Sequence, residues 1–131
     1  MNYKYKEYVK VILFKGKGSK EEVIELNNKN ALQEIYDYLD SKDEYHMGIE
    51  NFTFGIHKKY HYEAIWNAEK KSNTCMEITV YAGATFPIFI DSPVIIICHC
   101  YEDGGYLIDI NVNEVKKYFN AENSFWALMK V

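Results

Sequence analysis

Four histidines and three cysteines carry most of the reactive side-chain chemistry of this 131-residue chain, and two of the cysteines flank a histidine in Cys98-His99-Cys100. That triplet has the residue types of a metal site or a thiolate nucleophile but the spacing of neither. In an extended chain Cys98 and Cys100 share one face and His99 points to the other. Zinc sites leave two to four residues between paired cysteines, not one. The apolar run Val94–Ile97 just before them predicts buried, inert thiols, because a reactive thiolate needs a cationic and accessible surrounding. The same alternation puts His99 on the opposite, wetter side.

The other candidates weaken in the same way. His57 and His61 stand four residues apart, which is a metal pair only on a helix. The local pattern is strand and turn, where such residues lie roughly 13 Å from one another. Lys58 and Lys59 between them would repel a cation. Gly16-Lys17-Gly18-Ser19 lacks the spacing of a phosphate loop and reads as a hairpin turn. Asp91 and Asp103 sit in turn contexts, and Asp109, between Ile108 and Ile110, reads as solvent-facing. The sequence therefore predicts no catalytic residue, no metal ligand set and no cofactor. One enzymatic alternative stays open: a small ligand-binding domain or enzyme whose sheet face forms an aromatic pocket from Tyr60, Tyr62, Trp66 and Tyr81, with His61 or His99 as acid and base.

The elements that must position these residues follow from periodicity. Alternating apolar residues predict strands over 9–14, 48–57, 60–67, 74–81, 86–90, 94–101 and 106–110. The segment 21–26 fits a short strand as well as a helix capped by Ser19, and the strand is preferred. A helix is predicted from an Asn30 cap to about Ser41, with Ala31, Leu32, Ile35, Tyr36 and Leu39 at helical spacing. Glu102-Asp103-Gly104-Gly105 is a hairpin turn, since its glycines tolerate positive φ. Asn111 or Asn113 caps a short second helix carrying Val115, Tyr118 and Phe119, and the segment 124–131 reads as helix or edge strand. The expectation is one α+β domain over 1–131: a mainly antiparallel sheet packed on one side by one or two short helices. Connections between residues 48 and 110 are too short for parallel crossovers.

Composition bounds the partners. Net charge is −4, and all 15 basic residues are lysine. Without the bidentate fork of arginine and with an acidic balance, nucleic acid is not an expected partner. No apolar stretch approaches the ~18 residues of a membrane span, and the apolar run Val11–Phe14 is too short for a signal-peptide core. The low, odd cysteine count predicts free thiols and a cytoplasmic setting.

What remains is a surface. Tyr36, Asp37, Tyr38, Asp40, Asp43 and Glu44 gather on the first helix and its exit, with Tyr45 beside them, and Glu102 and Asp103 form a second acidic rim. Tyrosines bury large area at low entropic cost, and carboxylates steer a basic partner. In size, acidity and tyrosine content, though in no motif, the chain is similar in character to the immunity proteins of bacterial toxin systems and to small phage-encoded inhibitors. That likeness implies a protein-binding inhibitor, monomer or homodimer, that blocks a basic toxin or nuclease.

Overall fold

The computed structural model describes residues 3–15, 21–69, 76–79, 85–88, 93–116, 119–122 and 125–128, four of its strands by backbone pairing alone. The organising strand is the apolar run near the middle of the chain. Val94–Cys100 (β7) is buried at every position except His99. A strand that is apolar at consecutive positions must be covered on both faces, which places it inside a sheet.

The main sheet has the order β2–β1–β7–β4–β3, built from β1 (Tyr8–Phe14), β2 (Glu22–Asn27), β3 (Ile49–Phe54) and β4 (Tyr60–Asn67), with β8 (Tyr106–Ile108) as its sixth strand. Every pairing in it is antiparallel. β4 lies along the whole of one edge of β7. The other edge is divided: β1 takes Val94–Ile96 and β8 takes Cys98–Cys100. The expected mainly antiparallel α+β architecture is what the chain adopts.

Two cores flank the sheet. On one face Tyr60, Tyr62, Ala64 and Trp66 of β4 pack with Cys98, Cys100 and Ile96 of β7, and with Val115 of α2 (Val112–Lys116). On the other face Ile65, Ile95, Ile97 and Leu107 meet α1 (Ala31–Tyr38). Ala31, Ile35 and Leu39 are the buried residues of α1 and its exit, and their spacing of four puts them on one side of the helix.

Several boundaries differ from the sequence-based expectation. Asn30 makes no side-chain cap; Asn27 instead caps a 3-10 turn, Asn28–Asn30, that leads into α1. α1 stops at Tyr38 rather than near Ser41. Asn111 does cap α2, its Oδ1 accepting from the Glu114 N–H at 3.0 Å. Phe119 belongs to a strand, β9 (Phe119–Glu122), not to that helix. The C-terminal segment forms β10 (Phe125–Leu128), which is not an edge. It lies between β9 and β5 (Met76–Thr79) in a second sheet of order β6–β5–β10–β9, with β6 at Thr85–Ile88, and it runs parallel to β5. Parallel pairing of segments so distant in sequence leaves no local signature. No helix among the described residues is long and apolar enough to cross a membrane.

Candidate functional site

The register that sets Tyr62 against Cys98 also sets His61 directly against His99. Their imidazole centroids are 5.2 Å apart. Glu63, two residues beyond His61 on the strand, lies on the same face. His61 is held from both ends: its Nε2 is 2.6 Å from Glu63 Oε1 and its Nδ1 is 2.7 Å from the Tyr101 hydroxyl. An ionised carboxylate only accepts, so a neutral ring would donate Nε2–H to Glu63 and accept the Tyr101 O–H at Nδ1. This is a carboxylate–imidazole–hydroxyl chain that can pass a proton along its length. His61, Glu63 and His99 are all half-buried, and one ligand atom from each lies within 4.8 Å of the others. Burial holds the His99 imidazole below its ordinary value of 6.5, the adjacent His61 adds to that, and Glu63 partly offsets both.

The exit of α1 sits at the far end of β4, where Asn67 Nδ2 donates to Leu39 O at 3.1 Å. Ala31, Ile35 and Leu39 share a buried cluster with Ile65, while His61, Glu63 and His99 stay half-buried. A groove of about 300 Å³ is lined by Leu32 and Ile35 of α1, Ile97 and Leu107 of the sheet, and Glu63 and His99. Asn28 fixes the entrance of α1 against β8: its Nδ2 donates to Leu107 O at 2.8 Å, and its Oδ1 accepts from Leu107 N–H at 3.2 Å. The amide thus stands in for a neighbouring strand.

The glycine turn serves the same site. Gly105 has φ +97°, and a Cβ there would lie 2.8 Å from His99 Nε2. Only glycine permits both that backbone and the close approach of the imidazole.

On the opposite face the described aromatic residues of the expected pocket are core. Tyr60, Tyr62 and Trp66 are at most 4 % exposed and fill the core instead of lining a ligand site. Tyr81, the fourth member of that set, lies outside the described residues, as do Cys75, Asp91 and the loop 16–20. The Tyr60 hydroxyl is satisfied within the protein, donating to Glu114 Oε1 at 2.7 Å. Cys98 and Cys100 are buried, free thiols, and burial pushes the Cys98 pKa far up, so it stays a thiol. His57 is exposed and stacks on Tyr60, apart from His61. Asp109 is not the free surface carboxylate its alternation suggested. It accepts from Lys6 Nζ at 2.6 Å and from the Lys10 N–H at 2.9 Å, clamping the start of β1 and the chain that leads into it.

The acidic residues fall into two patches. Asp37, Tyr38, Asp40, Asp43 and Glu44 are exposed near the Asn67 end of β4. Glu102 and Asp103 follow Cys100, which pairs with Tyr60 at the other end. Two members of the first patch position it more than they present it. Tyr36 is half-buried and stacks on His46 at 3.7 Å. Asp43 accepts from the Tyr45 and Met47 N–H groups at 2.9 and 3.1 Å. His46 Nδ1 meets Ser41 Oγ at 2.7 Å, and Ser41 N–H donates to Tyr36 O at 2.9 Å. Asp40 and His46 both hold positive φ, +55° and +50°. The result is a braced turn on which Tyr45 and Met47 stand 78 % and 79 % exposed.

Sequence reading missed the His61–Glu63–His99 cluster. The signal was there in part, since His61 and Glu63 share strand parity, but nothing local sets β4 against β7 in the register that brings His99 across. Comparison with known proteins found no matching family, no matching curated protein and no matching solved structure.

Proposed function

We propose that this protein is a protein-binding inhibitor of the immunity type, which blocks a basic toxin or nuclease with the acidic, tyrosine-rich surface at the exit of α1. The braced turn 40–47 carries this reading. A loop whose backbone holds two non-glycine residues at positive φ, cross-linked by Asp43, Ser41 and the Tyr36–His46 stack, is more ordered than a connection requires. What it holds out to solvent is an interface composition: Tyr38, Tyr45 and Met47 among Asp37, Asp40 and Glu44. Preorganisation lowers the entropy lost on binding. The free, buried Cys98 and Cys100 suit a cytoplasmic, reducing setting.

The test is capture of a partner from the source cell, followed by charge reversal at Asp37 and Glu44. Both side chains are exposed, and neither carries the turn. Asp43 and Asp40 are poorer choices, because one caps the turn and the other holds positive φ. A basic protein bound stoichiometrically, with affinity lowered about tenfold or more by Asp37→Lys with Glu44→Lys through lost electrostatic complementarity, supports the reading. Undiminished binding by the double variant overturns it.

A second reading is favoured by the groove at Glu63 and His99: a small-ligand domain or enzyme in which His61 or His99 acts as acid and base. It keeps the histidines of the sequence-based alternative and moves them away from the aromatic face.

A further inference from the structure

We infer that His61, Glu63 and His99 form a binding site for a divalent transition-metal ion, zinc above all, with Tyr101 supporting it from behind. Two imidazoles and one carboxylate are the donor set of an open zinc site, in which three protein ligands leave a fourth position free. The elements are independent of the braced turn, so this site stands or falls apart from partner binding.

Geometry carries the assignment. The three ligand atoms already lie within 4.8 Å of one another. Zinc bonds of 2.0–2.2 Å at tetrahedral angles separate ligand atoms by about 3.3 Å. The 2.6 Å contact between His61 Nε2 and Glu63 Oε1 must therefore open slightly, and the more distant ligand must close in. Rotation of half-buried side chains accomplishes both without moving the strands. Placement on two hydrogen-bonded central strands gives the site a rigid base. The groove beside Glu63 and His99 gives the fourth position room for water or a small ligand.

Tyr101 makes the metal-bound tautomer available. The neutral His61 ring without metal carries its proton on Nε2, facing Glu63. Coordination through Nε2 needs that proton on Nδ1, and the hydroxyl 2.7 Å from Nδ1 can turn from donor to acceptor to receive it. A partner behind the ligating histidine is the usual means of orienting it. The site is also apart from the thiols: Cys98 and Cys100 alternate with His99 and lie in the opposite core.

Cobalt(II), the visible-absorbing substitute for zinc, is the probe. Titrated into the full chain at neutral pH in a non-chelating buffer, it is expected to bind stoichiometrically with d–d bands, without thiolate charge-transfer absorption, and to be displaced by zinc. His61→Ala and His99→Ala should each abolish the bands, Tyr101→Phe should weaken binding about tenfold or more, and His57→Ala should change nothing. Should an alanine variant fail to fold, the wild type decides: zinc must shift the imidazole nitrogen resonances of His61 and His99 and leave those of His46 and His57 in place. Absence of binding, thiolate charge-transfer bands, or shifts confined to His46 or His57 would each overturn the assignment.

Discussion

The two faces of the β4–β7 pair differ sharply, although they come from alternate residues of the same strands. On one face Tyr60, Tyr62, Cys98 and Cys100 are sealed in a dry core. On the other, at the same level, His61, Glu63 and His99 are half-buried, and Glu63 and His99 line a groove. The reactive types are divided between them, with the thiols on the filled face and the imidazoles on the open one. A thiol without water or a neighbouring cation is held protonated, as the upward shift at Cys98 shows. Imidazoles at the rim of a groove keep access to water and ligand. Chemistry here depends on which face is covered.

The largest expected effect breaks the filled face. Tyr62, 0 % exposed, should cost about 3–5 kcal/mol of stability as Tyr62→Ala, since removing a buried ring leaves a cavity. Urea denaturation measures it, and a loss under about 1 kcal/mol would show that this face is not the packed core described. A middle-sized effect tests the link between the turn and the open face. Gly105→Ala forces a side chain into positive φ and against His99 Nε2, so it should cost about 1–3 kcal/mol. It should also shift the His99 ring resonances; a variant with wild-type stability and unshifted His99 would separate the turn from the site.

The smallest effect lies at the clamp beside β1. Burial alone would raise the Asp109 pKa, but the Lys6 ammonium and the Lys10 N–H outweigh it and hold the pKa below its ordinary 3.8. The folded state then binds fewer protons than the unfolded state as pH falls through that range. The clamp's contribution is full above about pH 4 and is lost below it. The ion pair is partly exposed, so its worth is under about 1 kcal/mol. Asp109→Ala should flatten the acid limb of the stability curve by that small amount, which acid titration of the unfolding midpoint would read.

Much of the architecture was legible because it is local. The alternation in 60–67 assigned Tyr60, Tyr62, Ala64 and Trp66 to one face and His61, Glu63 and Ile65 to the other. The continuous run 94–97 announced a strand covered on both sides. The glycines at 104 and 105 marked the turn, and the cysteine spacing separated Cys98 and Cys100 from His99. Each of these follows from strand period two or from backbone sterics, which a single segment carries by itself. Register, cover and long-range pairing are different, because each depends on two segments at once. The tertiary structure alone set His61 against His99, used Asn28 to hold β8, and paired β10 parallel with β5. Each choice was made by what else had to be buried, and no residue within the segment records it.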